Sequence, residues 1–253
     1  MRNHSKIPVR LFTFTAIAMM ALIVLLANRQ ERASALSGRQ KDQERQKAEI
    51  EKVQRNRAAL PRAEYRAPEP QDPALRRIRK ARDKRYGTIE PFESMPEDAL
   101  GWDIVTHDPF EPQGLPVAES DLVTLGKITE AKGYVTENKS AAYSEYTAEI
   151  IEVFKGKTNL VGKQIITERV GANVVLPSGR TILVADANRG APETGHRYVL
   201  FLKYSPEGED YLIVTAYDLQ DGRVMSIDRF PQCESFDGNE EAAFLDLVRS
   251  SVK

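Results

Sequence analysis

The chain has 253 residues, 41% hydrophobic and 29% charged, with 15 glycines and 14 prolines, which excludes a low-complexity or collagenous chain. A single cysteine, Cys233, excludes an intrachain disulfide and a multi-cysteine zinc site, and three histidines leave little material for metal or triad chemistry. The net charge of −1 conceals a polarity: residues 1–27 carry three basic and no acidic side chains, 28–87 carry 18 basic against 9 acidic, and 88–253 carry 15 against 28. Such a contrast points to a charged tail or partner surface.

Residues 1–10 form a basic tail bearing Arg2, Lys6 and Arg10. The run Leu11–Ala27 then holds 17 residues without a charge, bounded by Arg10 and Arg29. As a helix it spans roughly 25 Å, the short end for a bilayer crossing, and the flanking arginines can snorkel outward. It predicts a transmembrane helix over 11–28, with membrane lipid as its partner. The run exceeds the roughly 7–15 residues of a signal core, and Arg29, Glu31 and Arg32 spoil cleavage at Ala33-Ser34-Ala35. A retained single-pass signal anchor is therefore expected. Counted literally, Arg29, Arg32, Arg39, Lys41, Arg45 and Lys47 after the run would put the C-terminal side in the cytoplasm. The rule weakens for long translocated domains, and the expectation is an inside N-terminus with the bulk of the chain periplasmic.

Residues 29–60 are rich in Gln, Arg, Lys, Glu and Ala, which predicts a charged helical spacer. Apolar positions are too sparse for a coiled coil, so pairs such as Glu44 with Lys47 and Glu51 with Arg55 are its support. Pro61, Pro68, Pro70 and Pro73 then mark an extended linker over 61–88. Within it, residues 74–85 hold seven basic side chains: Arg76, Arg77, Arg79, Lys80, Arg82, Lys84 and Arg85. Leu75, Ile78 and Ala81 recur every third position, so a short basic helix can form. Anionic lipid headgroups, nucleic acid and the protein's own acidic domain compete as partners, against a plain solvated linker. Nucleic acid is disfavoured, because no aromatic residue is interleaved before Tyr86 and a cytoplasmic location would be required. Lipid attraction needs only proximity, which an anchor supplies.

Residues 89–119 read as an irregular lead-in, with Phe92, Trp102 and Phe110 among five prolines. From Ser120 to Lys253 the pattern becomes mainly β. Strands are predicted over Leu122–Ala131, Tyr146–Phe154, Gln164–Val170, Asn173–Leu176, Thr181–Ala185, Tyr198–Tyr204, Tyr211–Tyr217 and Val224–Ile227. Pro177-Ser178-Gly179 and Pro206-Glu207-Gly208 are turn signals, and Asp221-Gly222 signals a type I′ hairpin. Tyr198–Leu202 is apolar on both faces, which suits a barrel wall or a sheet covered by a helix. A closing helix follows. Asp237 and Glu240 have capping-box spacing, and Phe244, Leu247 and Val248, extended by Val252, form a stripe for one opening or face of the barrel.

Ser120-Asp121-Leu122-Val123, Val153-Phe154-Lys155-Gly156 and Gly195–Leu202 resemble the strands of the netrin-like, TIMP-like OB barrel, in which a helix also follows. Tyr143–Thr147, Pro177–Arg180 and Arg197–Leu202 are similar to segments of a group of bacterial exported proteins that bring no function with them. The resemblance covers about residues 118–228 and implies an OB-like β-barrel with a C-terminal helix. The inhibitory mechanism of TIMP-like proteins needs a cysteine-bonded N-terminus, which this chain lacks.

Chemistry is thinly signalled. His107-Asp108 precedes Pro109 and reads as a loop, and His196 precedes a strand. Asp103, Asp186 or Glu168 could join the two histidines, but no short-range ligand motif does so, and no metal or other cofactor is expected. Ser178 lies in a hairpin turn without a nucleophile elbow. Cys233 has no cationic neighbour in sequence to lower its pKa, and reads as a partly buried bystander. Tyr134, Tyr143, Tyr146, Arg169, Arg180 and Arg197 near strand ends are residue types common in binding hot spots. The preferred alternative is that the tyrosines fill the barrel rim and the arginines pair with acids. The expectation is an envelope protein presenting an acidic binding or scaffolding domain, with another envelope protein as a conceivable partner. Its rivals are a hydrolase using His107 or His196, and a cytoplasm-facing regulator whose basic segment binds nucleic acid.

Overall fold

In the computed structural model, the described residues are Lys47, Glu51, Gln54, Arg55, 57–87, 104–106 and 110–252. The tail, the predicted transmembrane helix over 11–28, most of the spacer, Phe92, Trp102 and His107 lie outside them. Among the described residues no helix is long and apolar enough to cross a membrane. Before Gln54 only Lys47 and Glu51 are described, both helical. A compact unit spans Gln54–Lys253 and takes in the linker as well as the β domain.

The described residues form strands β1 (Arg62–Glu64), β2 (Ile104–Thr106), β3 (Leu122–Val135), β4 (Ala142–Lys155), β5 (Gln164–Val170), β6 (Ala172–Val175), β7 (Thr181–Asp186), β8 (Arg197–Ser205), β9 (Asp210–Gln220) and β10 (Arg223–Ser226). Helices α1 (Pro73–Tyr86), α2 (Pro231–Glu234) and α3 (Glu241–Ser251) complete them. The larger sheet runs β10-β9-β5-β4-β3-β8, and an additional β8–β9 pairing closes five strands into a barrel. The neighbours are antiparallel except at the β5–β9 seam, which is parallel and pairs only Thr167 with Tyr211 and Glu168 with Leu212. A smaller sheet, β1-β6-β7-β2, packs Ala63, Val174, Ile182 and Val184 with Val135 and Ala142 from the ends of β3 and β4.

Strand alternation sorts the apolar residues onto two faces. Leu122, Tyr146, Ile150, Ile165, Tyr198, Leu200, Leu202 and Ile213, drawn from all five closing strands, share the interior cluster. Their neighbours Val123, Val199 and Phe201 belong to a second cluster with Phe244 and Val248 of α3. The doubly apolar strand is thus explained by both of its expected causes at once. Each such side chain contributes roughly 1.5–3 kcal/mol of burial. Asp221 and Gly222 have φ of 53° and 72°, as a type I′ turn requires. At Gly133 a Cβ would stand 2.8 Å from the Arg62 carbonyl oxygen, so only glycine lets β1 lie against β3.

Three expectations need correction. The proline-rich linker is not simply extended, because Arg62–Glu64 pairs with β6, and Pro73 opens α1 behind an Asp72 cap instead of ending a helix. The capping box is absent: Glu240 makes no side-chain cap, and Asp237 accepts the Ser226 N–H at 2.6 Å. The positive φ at Gly238 turns Asp237 back toward β10. The α3 stripe is also rotated, with Phe244 and Val248 buried, Leu245 and Val252 half-buried beside them, and Leu247 42% exposed. This helix covers the outer barrel wall, not an opening.

Candidate functional site

The barrel seam carries an unusual gathering of charge. Glu145 on β4 stands directly opposite Glu168 on β5, a like-charge pairing that destabilises a sheet unless neutralised. Asp210, at the start of β9, adds a third carboxylate, and the Glu168 and Asp210 side chains are fully buried.

Helix α1 brings the counter-charge. Arg82 Nε lies 2.7 Å from Asp210 and 2.9 Å from Glu168, and its Nη1 pairs with Glu145. Arg85 pairs with Glu168 and donates to the Ser205 hydroxyl, and Tyr86 donates to Glu168 at 3.1 Å. Burial works against the charge on Arg82, but Glu145 and Asp210 outweigh it and hold the pKa above its ordinary value. Glu145 goes the other way: burial pushes its carboxyl up, and Arg82 only partly offsets that. Two guanidiniums therefore face three carboxylates. Beside them Tyr143 is sandwiched between Tyr86 and Tyr134, with ring centroids 5.3 and 5.4 Å apart, and Arg79 lies over Tyr134.

A cavity of about 600 Å³ opens next to this cluster, bounded by Arg85 and Tyr86 of α1 and by residues of β5, β7 and β9. Arg169 and Arg189 are in its wall. Burial pushes the Tyr86 hydroxyl well above its usual range.

The residues singled out from sequence are dispersed. Tyr146 is buried in the barrel interior, where burial pushes its hydroxyl up to about 12, and Tyr143 is buried in the tyrosine stack with Tyr134 half-buried against it. Arg169 is buried against Asp228, Arg197 pairs with Glu241 at 2.9 Å, and Arg180 is exposed after the β6–β7 turn. Of the basic helix residues, Arg82 is buried, Arg76, Arg79 and Arg85 are half-buried, and Arg77, Lys80 and Lys84 are exposed. His196 Nδ1 lies 3.0 Å from Asp218, whose carboxyl burial pushes up while His196 lowers it; Nε2 is 3.8 Å from Glu193. Both ring nitrogens thus face carboxylates. Cys233 is fully buried beside Thr215, and burial followed by Asp228 raises its thiol pKa.

No local pattern singles out Asp210 or Arg189 in the sequence, and Glu168 stands out there only as a third ligand beside the histidines. A faint signal existed: Glu145 interrupts a tyrosine-rich strand, where an acid needs a partner. No protein-family model matches the chain, and a search of curated proteins finds no match.

Proposed function

We propose that the chain is a single-pass, membrane-anchored binding or scaffolding protein of the envelope, whose β-barrel is presented outside the cytoplasm. In this reading Leu11–Ala27 is the anchor, and tethering raises the local concentration of the domain near membrane partners. The barrel is of the OB type, as strand order supports: numbering the five closing strands in chain order gives 1-2-3-5-4-1, with the parallel seam between the third and fifth. The C-terminal helix on the outer wall agrees with the netrin-like resemblance, though without its cysteines.

The observation that carries the reading is the two-sidedness of α1. Its inner side is fixed by Arg82, Arg85 and Tyr86, while Arg77, Lys80 and Lys84 project outward at helical spacing. Arg77 meets the exposed Glu209, and the two lysines have no ion-pair partner among the described residues. A cationic stripe on a rigidly docked helix seats a tethered domain on anionic headgroups in one orientation. The hydrolase reading draws no support from His196, whose two ring nitrogens face Asp218 and Glu193 and have no nucleophile paired with them among the described residues.

The test places the full chain in nanodiscs with a fluorophore at Ala74→Cys and a quencher on the lipid. Quenching is expected in discs containing phosphatidylglycerol and not in purely zwitterionic ones. Lys80→Gln with Lys84→Gln should lower the seated-to-unseated ratio about thirtyfold, at about 1 kcal/mol per charge. Equal quenching in both lipids would refute the seat. A C-terminal alkaline phosphatase fusion inactive in cells would refute the orientation.

A further inference from the structure

We propose that the cavity beside the β5–β9 seam binds a small carboxylate with an apolar body. The inference deepens the reading of the domain as a binding module. The barrel closes at this point through two paired positions only, and the cavity of about 600 Å³ lies alongside. That volume is in the range that holds a drug-sized ligand. Its wall is apolar over Tyr86, Phe110, Val170, Val184, Leu212 and Ile213.

The polar side is built around two guanidiniums. Arg169 and Arg189 both donate to the carbonyl oxygen of Val214, at 3.4 and 2.9 Å, which brings two cations close together. Arg169 is 3% exposed and is tied to Asp228 Oδ2 at 2.8 Å and to the Gly190 carbonyl at 2.7 Å. Asp228 is itself heavily used, because Oδ2 also accepts the Thr215 hydroxyl and Oδ1 accepts the Gly190 N–H. Arg169 Nε is buried and has no hydrogen-bond partner among the described residues. That atom has almost no accessible surface, so an occupant of the cavity meets the half-buried Arg189 first, with the Arg169 charge beside it.

A carboxylate is the ligand group whose charge and planar oxygens suit a wall built around two guanidiniums. The carboxylates already in the wall are otherwise engaged: Glu168 with Arg82, Arg85 and Tyr86, and Asp186 with the Asn188 N–H. Glu119 and Lys203, also in the wall, carry opposite charges and together leave the sum at the two arginines unchanged. The apolar wall favours an aliphatic or aromatic body over a hydrated polyanion, whose extra charges and water it cannot match. Because Arg85 and Tyr86 line the cavity, its occupant also touches α1.

The experiment titrates the full chain in amphipol by calorimetry, with empty amphipol subtracted. The probes are 4-phenylbutyrate and octanoate, each compared with the alcohol of the same body. Saturable one-to-one binding is expected, with either acid at least tenfold tighter than its alcohol. Arg189→Met should remove that preference, and Leu212→Trp, which fills the cavity from a half-buried position, should abolish binding of both kinds; thermal midpoints establish that each variant is folded. Absence of saturable binding by both acids at millimolar concentration, equal affinity for acid and alcohol, or unchanged binding by folded Leu212→Trp would each overturn the proposal. No bilayer is present in this titration, so its failure and a failure of the membrane seat are read separately.

Discussion

Helices α1 and α3 rest on the same barrel and are held by opposite means. The α3 side contributes Phe244 and Val248 to an apolar cluster with Val123, Leu125, Val199 and Phe201. That contact is non-directional and roughly proportional to area. The α1 side contributes guanidiniums to buried carboxylates, and the ion pairs fix its position by geometry. Desolvating five charged groups cancels much of what their attraction gains, so such a contact yields orientation more than net stability. The molecule thus has one helix held chiefly by apolar packing, with the more exposed pairs Arg197–Glu241 and Arg249–Glu152 beside it, and one held chiefly by buried ion pairs.

The comparison is broken most severely from the apolar side. Phe244→Ala should destabilise the domain by about 3–5 kcal/mol, because it removes a nearly fully buried ring and leaves a cavity. Chemical denaturation of the full chain should give the same loss at pH 5 and pH 8. Arg82→Met should cost about 3 kcal/mol at neutral pH, since three carboxylates then face only Arg85. This second loss should shrink on acidification and be partly rescued by Glu145→Gln. Equal losses at both pH values would mean that Arg82 acts by packing alone.

The difference in mechanism also decides what could be read from the sequence. Apolar periodicity locates β3 through β10 and α3, because alternation and turn residues are local and the strands obey them. It also finds the doubly apolar strand Tyr198–Leu202. The rotation of the α3 stripe to Phe244, Leu245 and Val248 escapes it, since helical spacing alone admits Leu247 equally well. The charge cluster was illegible for a different reason. Glu145, Glu168 and Asp210 are far apart in the chain and meet only because β4, β5 and β9 are neighbours in the barrel. A basic helix reads the same whether its partner is water, lipid or its own domain. β1 is three residues long and pairs in parallel with a distant strand, so no local pattern marks it.

The proton response is sharpened by Glu145 itself. Its carboxyl is raised above 4.5 by burial, so ionising it costs more in the folded than in the unfolded chain. Its contribution therefore favours the fold below pH 4.5 and is lost as the pH rises from there through the higher folded value. Glu145→Gln leaves two carboxylates for two guanidiniums and removes that loss. The variant should be more stable than the parent at pH 8, with the difference shrinking toward pH 4. A variant less stable at pH 8 would show that the Arg82–Glu145 attraction outweighs the cost of burying Glu145.

The smallest effect belongs to the face of α3 turned from the barrel. Leu247 is 42% exposed, so its truncation to alanine removes far less buried surface than truncation of a fully buried neighbour. Alanine is also the better helix former, which offsets part of the lost contact. Leu247→Ala should therefore change stability by less than about 0.5 kcal/mol, whereas Val248→Ala, one position along, removes fully buried methyl groups. Measured side by side in the full chain, the two substitutions fix the rotation of α3 on the wall. Reversal of their order would place the apolar face of that helix one residue earlier.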